Sequence, residues 1–262
     1  MLVIDGNKGL GIDESGFMDE SDFNTPISIM HNDLFQLFYE TNLFMYKIYD
    51  SLSPNANDLL ELFFVGVYIK IHKSIQSAVV SLSRGLEEET KIMLRSVLDK
   101  LFIMRAIYNN KDNFDKLLSH QNYERRSLNN AIKNKLPGLE NLNYNIKDLP
   151  KGKRTSMKQW AKLANMEAQY NVVYRLFSTN IHCSLSSLES DLSIKDGFPY
   201  MIDICPHFEE TTKLILTIID DAFNALDIIV NYFGLDKSEY NSLKDSIRAY
   251  ENNELNKQKI ID

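Results

Sequence analysis

The chain has 262 residues, of which 29 are Lys or Arg and 36 are Asp or Glu, so its formal net charge is -7. With 44% hydrophobic and 25% charged residues it can bury a core, which excludes a chain that is disordered throughout. Its two cysteines, Cys183 and Cys205, exclude a disulfide-stapled scaffold and a four-cysteine zinc module.

Residues 1–26 are acidic and rich in glycine, and they lack helical periodicity, which predicts a flexible N-terminal arm. No basic start followed by an apolar run occurs there, and charges interrupt every long apolar stretch. These patterns predict a cytoplasmic protein with neither a secretory signal nor a membrane span. After the arm we expect one domain over residues 27–252 and a polar tail over residues 253–262.

Apolar residues recur at spacings of three and four, which is the pattern of amphipathic helices. The first predicted helix covers residues 30–50. The second begins at a cap formed by Asn57 or Asp58 and ends before Gly85, which can adopt the left-handed conformation of a helix stop. The third covers residues 87–108 and begins with three glutamates, which the helix dipole favours.

Helices also dominate the second half of the chain. They are predicted over residues 112–135, from Ser156 past Trp160, over 170–188, over 206–233 and, after a cap at Asp236, over a short terminal stretch. The helix predicted over residues 206–233 begins at Pro206, and proline is tolerated in the first turn of a helix. No alternating strand pattern of useful length appears. The sequence therefore predicts an all-α fold, a bundle of five to seven helices.

The stretch from Tyr174 to His182 is the strongest candidate for chemistry. On a helix, Arg175, Ser178, Thr179 and His182 lie at i, i+3, i+4 and i+7 and share one face. A fixed guanidinium can stabilise the charge that develops on a phosphorane while an imidazole transfers a proton, and neither step needs a metal. From spacing alone, the alternative is an Arg and a His at a polar rim of the bundle or at a dimer seam.

Arg175, six further residues and His182 resemble the Arg-x(4–6)-His motif of the HEPN superfamily. That superfamily comprises all-α domains with an up-down helical core and includes many metal-independent RNases of toxin and phage-defence systems. The resemblance implies a homodimer whose two motifs line one cleft, and a partner protein such as an antitoxin. It also implies that the RNA 2'-hydroxyl attacks its own phosphate, with Arg175 stabilising the phosphate and His182 as general acid or base. The chain departs from many active members at Leu176, where they have a polar residue; the nearest amide here is Asn180.

A second pattern combines Gly85, the block Leu94-Arg95-Ser96-Val97-Leu98-Asp99 and the later spacing Tyr174-x-x-Phe177-Ser178-x-x-x-His182. It is similar to that of a bacterial all-helical family of unknown function, over roughly residues 60–230. Members of that family usually carry Glu where this chain has Asp99. The resemblance implies that these polar residues occur together in the family, for which no activity is established.

Arg95 and Asp99 lie four residues apart on a helix that is otherwise apolar. Buried charges need partners. One hypothesis places both residues opposite Tyr174, Ser178 and His182 in a polar pocket, where Asp99 orients or charges the imidazole. The alternative is a structural ion pair that fixes the register of the helices.

Residues 147–162 carry six basic side chains against Asp148 alone. One hypothesis is an RNA-binding segment in which Lys151, Lys153, Arg154 and Lys158 follow a phosphate backbone and Trp160 stacks on a base. The alternative is a charged surface loop whose tryptophan is anchored in the core.

Little in the sequence favours a metal. Asp220, Asn224, Asp227 and Asn231 form a polar stripe that a solvated helix face explains as well as a divalent cation does, and histidines are few. We predict neither a metal site nor a cofactor.

Two functions therefore stay open. The first is a HEPN-like metal-independent endoribonuclease, or an RNA-binding effector, of a bacterial defence or toxin system. The second is a non-enzymatic interaction or sensor module whose polar pocket binds a ligand or a partner protein. A sealed Arg175 would exclude the nuclease.

Overall fold

The computed structural model describes the backbone of residues 24–135, 150–181, 192–195, 198–202 and 210–261, and the side chains of residues 24–130, 150–179, 210–250 and 252. The predicted acidic arm up to residue 23 lies outside the described residues. So do residues 136–149, which follow the helix predicted over residues 112–135.

The described residues confirm the all-α fold class. The helices are α1 (Pro26–Met30), α2 (Asn32–Ser51), α3 (Leu59–Ser83), α4 (Glu87–Asn109), α5 (Asn113–Lys135), α6 (Met157–Leu163), α7 (Glu167–Gln169), α8 (Arg175–Ile181), α9 (Thr211–Phe233) and α10 (Ser238–Ile261). A π-helix over Tyr170–Tyr174 joins α7 to α8.

Several helix boundaries follow the predicted local signals. The Oδ1 atom of Asp58 accepts the backbone N–H of Leu60 at 2.8 Å and of Glu61 at 3.2 Å, which caps α3. Gly85, just beyond the end of α3, has a φ of 75°, a conformation that glycine adopts without strain. Ser156 forms a capping box with Gln159 at the start of α6.

Two boundaries differ from the prediction. Helix α9 begins at Thr211 rather than at Pro206, because its first turn is capped by a side chain from another helix, as described below. Helix α10 continues to Ile261, through the segment predicted as a polar tail. That segment lacks Gly and Pro, and its polar residues are compatible with a solvated helix.

A short β-hairpin also departs from the prediction that no strand occurs. Strands β1 (Leu192–Lys195) and β2 (Phe198–Ile202) pair antiparallel, with Leu192 opposite Ile202, and the register shifts between Ser193 and Ile194. The strands have only four and five residues, and the alternation of apolar and polar residues over Leu192–Lys195 is too short to give a clear strand signal in the sequence.

The chain divides into two compact units. Unit 1 contains the residues up to Leu101 and from Val172 onward, and unit 2 contains Phe102–Asn171. The expectation of one domain over residues 27–252 stays a prediction.

The core of unit 1 is built on α9. Helix α9 packs against α3 and α2, and α10 packs against α2. The face of α9 that carries Ile215, Ile218 and Ile229 is fully buried, as are Phe38 on α2 and Phe64 on α3. Burial of this apolar surface is the main stabilising contribution to unit 1.

A buried polar network joins α2 to α3. The Nδ1 atom of His72 lies 2.7 Å from the hydroxyl of Tyr49, and its Nε2 atom lies 2.8 Å from Oδ1 of Asn42, which also accepts from Gln76 at 3.0 Å. Because that amide oxygen can only accept, Nε2 carries the proton and Nδ1 accepts from Tyr49. His72 is therefore a neutral, structural histidine, and burial lowers its pKa from 6.5 to about 3.

A second polar contact joins α4 to the start of α9. The Oε1 atom of Glu87 accepts the backbone N–H of Glu210 at 2.9 Å and the hydroxyl of Thr211 at 3.1 Å. Nearby, Lys91 bridges Glu88 at 2.9 Å and Glu210 at 2.6 Å. The buried Glu87 carboxylate thus caps the N-terminus of α9, a role that a side chain of the same helix end usually fills. The helix dipole favours negative charge at this end.

Unit 2 contains the end of α4, α5 and α6. Trp160 on α6 is fully buried. The side chain of Asn113 donates to the carbonyl of Ala106 at 2.7 Å, which holds the turn between α4 and α5. Gly152 lies against α5 so closely that a β-carbon there would overlap the carbonyl oxygen of Ser119 and the backbone nitrogen of Tyr123.

Replacing Glu87 by Ala should lower the free energy of unfolding by about 2–3 kcal/mol, because a charge-assisted cap is lost and buried donors lose their acceptor. Glu89→Ala is the matched control, since Glu89 lies in the same helical turn but is exposed, and we expect a change of about 0.5 kcal/mol or less. Urea unfolding followed by circular dichroism measures both. Equal effects of the two substitutions would contradict the capping role.

The His72 network should make stability depend on pH. The unfolded chain binds a proton at His72 near pH 6.5 and the folded protein near pH 3, so this contribution is complete above pH 6.5 and is lost as the pH falls. The loss is about 1.4 kcal/mol per pH unit between pH 6 and 4. His72→Gln removes the titrating ring, so the stability difference between wild type and variant should shift by that amount as the pH is lowered. A constant difference between pH 7 and pH 4 would show that His72 does not titrate on unfolding.

Candidate functional site

The predicted polar residues of α4 meet Tyr174 inside unit 1. The Nη2 atom of Arg95 donates to the Tyr174 hydroxyl at 3.1 Å, and the guanidinium lies 5.0 Å from the centre of the tyrosine ring. The Tyr174 hydroxyl is also hydrogen-bonded to Asp99. The phenol therefore bridges the two charges, which are half-buried.

The electrostatics of this cluster follow from burial. Desolvation raises the pKa of Asp99, although hydrogen bonding to Tyr174 and the positive charges of Arg95 and Lys100 oppose that rise. The pKa of Tyr174 is raised too, by burial first and then by the adjacent Asp99 carboxylate. Tyr174 is therefore a neutral hydrogen-bond donor to Asp99.

Two atoms of the cluster are unsatisfied. Arg95 Nε and Asp99 Oδ1 are buried, and neither has a hydrogen-bond partner in the structure described for this part of the chain. A buried polar atom without a partner costs about 1–3 kcal/mol. Asp99 Oδ1 can therefore accept a hydrogen bond from one further donor, and Arg95 Nε can donate a hydrogen bond to one further acceptor.

Lys100 belongs to the same region, although it is not among the site residues predicted from the sequence. Its Nζ atom donates to the carbonyl and the hydroxyl of Ser96, at 2.8 and 2.7 Å, and to the hydroxyl of Ser74 at 3.3 Å. Burial lowers its pKa. The signal that could have identified it is a third charge on an apolar helix, directly after Asp99.

The π-helix places Tyr174 and Arg175 on different faces, one for each of the two hypotheses that the sequence left open. Tyr174, its last residue, is buried at 6% exposure, whereas Arg175, the first residue of α8, is exposed. Adjacent residues on a helix point about 100° apart, and the extra residue of a π turn changes the register at this point. The cluster with α4 is thus formed by Tyr174, while Arg175 faces solvent.

The hydroxyl groups next to Arg175 are bonded to the backbone. Ser178 is half-buried and donates to the carbonyl of Tyr174 at 2.6 Å, and the exposed Thr179 donates to the carbonyl of Leu176 at 2.7 Å. Asn180 lies in α8, but its side chain is outside the described residues, as is all of His182. The predicted face that joins Arg175 to His182 therefore stays a prediction.

The described part of the basic segment 147–162, which extends into α6, lies in unit 2. Its described side chains Lys151, Lys153, Arg154 and Lys158 are exposed, as predicted for an RNA-binding segment and equally for a solvated loop. Trp160 is fully buried, so the hypothesis that its indole stacks on a base is wrong for this structure. The alternative of a tryptophan anchored in the core is confirmed.

Asp221 on α9 is a further buried polar residue that was not predicted from the sequence. Its side chain is 3% exposed, and burial, reinforced by the charge of Asp220, raises its pKa well above the usual value. Its Oδ2 atom has no hydrogen-bond partner within the described structure. The available signal was its position among the apolar residues of α9 rather than on the polar stripe of Asp220 and Asn224.

The polar stripe of α9 is internally hydrogen-bonded. The Asn224 amide donates to the carboxylate of Asp220 at 3.2 Å, and the Asn231 amide donates to that of Asp227 at 3.0 Å. Within the described residues, no group of three or more His, Cys, Asp or Glu side chains is placed to hold a metal ion.

Comparison with known families identifies the chain. Residues 61–199 match the family of unknown function DUF5677, and the protein belongs to that family. The matched residues include Arg95, Asp99, Tyr174 and Arg175, in agreement with the resemblance to an all-helical family of unknown function. Searches for similar curated proteins and for similar solved structures each gave no match. None of the described helices is long and apolar enough to cross a membrane.

Tyr174→Phe should lower the free energy of unfolding by about 1–3 kcal/mol, because Arg95 and Asp99 each lose a partner in a half-buried site. Arg95→Met should be destabilising as well, and the double variant should lose less than the sum of the two single losses, since both substitutions remove one interaction. Tyr123→Phe on α5, which removes an exposed hydroxyl, is the control. Urea unfolding of the wild type, the two single variants and the double variant measures this double-mutant cycle. If the two losses of unfolding free energy add to within about 0.5 kcal/mol, Tyr174 and Arg95 are not coupled.

Proposed function

We propose that this protein is a HEPN-like, metal-independent endoribonuclease centred on Arg175 and His182, and that it acts as a homodimer in a bacterial defence or toxin system. The observation that carries the proposal is the exposure of Arg175 at the start of α8. A guanidinium that faces solvent can reach a phosphodiester, whereas one sealed in the bundle cannot.

The chemistry assigned to these residues is a transesterification within the RNA. The 2'-oxygen attacks the adjacent phosphorus while its proton passes to a base. The bond from phosphorus to the 5'-oxygen breaks, and that oxygen receives a proton. The products are a 2',3'-cyclic phosphate and a 5'-hydroxyl. Arg175 stabilises the negative charge of the phosphorane, and His182 serves as the base or the acid.

The cluster of Arg95, Asp99 and Tyr174 supports this proposal as a positioning device. Tyr174 immediately precedes Arg175, and its hydroxyl is held by two half-buried charges of α4. Fixing Tyr174 fixes the start of α8 and therefore the direction of the Arg175 side chain. Such preorganisation reduces the reorganisation that a cationic stabiliser needs during the reaction.

Exposed apolar side chains support the homodimer. Val172 is 66% exposed and Leu176 is 57% exposed, on either side of Arg175 in the sequence. A second copy that covers them would remove apolar surface from water and bring a second Arg175 near the first. Leu176, where the HEPN resemblance is weakest, then contributes to association rather than to chemistry.

One observation favours the second candidate function, a non-enzymatic sensor or interaction module. Arg95 Nε and Asp99 Oδ1 are buried without partners in the part of the chain that the structure describes, and a polar ligand or a side chain of a partner protein could satisfy both. In this case the polar cluster is the binding site, and Arg175 is a surface residue.

Incubation of the purified protein with total RNA in excess EDTA tests the first candidate. We expect fragments that end in 2',3'-cyclic phosphate, and a loss of cleavage of about 100-fold or more in Arg175→Ala and in His182→Ala. Arg248→Ala, which removes an exposed arginine from α10, is the matched control and should cleave like the wild type.

Two results would overturn the ribonuclease. One is the absence of cleavage by folded wild-type protein, and the other is undiminished cleavage by Arg175→Ala. Either result leaves the sensor or interaction module as the better supported function.

A further inference from the structure

Unit 2 contains a cavity of about 710 Å³ between α5, the segment that precedes α6, and α6 itself. Among the described residues, the charged lining consists of Lys116, Lys153, Arg154 and Lys162 against a single carboxylate, Asp115. The volume is within the range of small-molecule sites. The cavity is therefore large enough for a ligand and carries an excess of positive charge.

The positive charges are not neutralised by neighbouring acids. Among the described residues, no carboxylate forms an ion pair with Lys153, Arg154 or Lys162. Lys116 donates to Oδ1 of Asn113 at 2.7 Å, which is a neutral partner. Four cations around one cavity repel each other, and a bound anion would relieve that repulsion.

The segment that supplies two of the cations is held in place by its backbone. The N–H of Lys153 donates to the hydroxyl of Ser119 at 3.0 Å, and the N–H of Thr155 donates to Nδ1 of His120 at 3.2 Å. Gly152 fits against α5 because it has no β-carbon. The cavity wall is thus preorganised, which reduces the entropy that ligand binding must overcome.

The remaining lining indicates which part of a ligand is recognised. It includes the hydroxyl groups of Ser119 and Thr155, and none of the lining residues that the structure describes is aromatic. Lysine, arginine and hydroxyl groups bind phosphate oxygens, whereas nucleobases stack mainly on aromatic side chains, which the described lining lacks. The lining thus favours the phosphate part of a ligand over a base.

We infer that this cavity is a binding site for phosphate groups, supplied either by a small phosphorylated molecule or by the backbone of RNA. The inference goes beyond the proposed ribonuclease, because it rests on unit 2 alone and assigns no step of cleavage to these residues. Lys153, Arg154 and Lys162 form the main contacts, and Lys116 adds charge.

Titration calorimetry of the full chain with pyrophosphate tests the site. We expect saturable binding that weakens about tenfold in the double variant Lys153→Gln/Lys162→Gln, since two charge-assisted contacts are lost. The matched control is Lys151→Gln/Lys158→Gln, which removes the same charge from the same basic segment but from residues that do not line the cavity. Its affinity should stay within about twofold of wild type. Circular dichroism verifies that both variants are folded.

Competition with a 2'-O-methyl oligouridylate, which cannot be cleaved through its 2'-oxygen, identifies the source of the phosphate. Displacement of pyrophosphate assigns the site to a nucleic acid backbone, and retention assigns it to a small ligand; both outcomes support the site. The absence of saturable pyrophosphate binding at millimolar concentration would overturn the site, as would equal weakening in the two double variants. RNA cleavage without pyrophosphate binding overturns this inference alone, and pyrophosphate binding without cleavage overturns the ribonuclease alone.

Discussion

Charges on the largely apolar helix α4 constrain the region around the candidate site more than any other feature. Arg95 and Asp99 are half-buried, and a charge removed from water is stable only with polar partners. The Tyr174 hydroxyl meets that requirement for both side chains at once. It can do so only if Tyr174 points inward, and the helix register then directs Arg175 outward. The partner requirement of two charges thus determines where the exposed cation of α8 lies.

The requirement of buried polar groups for specific partners also fixes the helix positions in the rest of unit 1. Apolar packing of α9 on α2 and α3 is stabilising but not directional, so it tolerates small shifts of the helices along one another. The His72 network between α2 and α3 does not tolerate such shifts, and neither does the Glu87 cap on α9, because each requires particular atoms at hydrogen-bond distance. These contacts select one register among several that burial alone would allow.

Local signals explain which parts of the fold could be predicted. Periodicity and caps located α2 to α6 to within a few residues, because the cap of Asp58 and the φ of Gly85 depend on nearby sequence. The start of α9 depends on Glu87, 123 residues away, so no local pattern could reveal it.

Part of the candidate site could also be predicted. The contact between Arg95, Asp99 and Tyr174 follows from the rule that buried charges need partners. The π-helix depends on tertiary packing and could not be predicted. The burial of Trp160 was one of two alternatives that the sequence left open, and the charge of Lys100 on α4 was a signal for its role.

The unsatisfied atoms of the cluster link the two candidate functions. A cluster whose only role was to fix helix register would gain stability from satisfying Arg95 Nε and Asp99 Oδ1, yet both are left without partners in the described structure. Unsatisfied buried groups of this kind persist where function requires them. Since Tyr174 is hydrogen-bonded to both residues and immediately precedes Arg175, any molecule that satisfies those atoms also acts on the start of α8. A ligand of the cluster would therefore alter the position of Arg175, so the two proposed functions, sensing and cleavage, do not exclude each other.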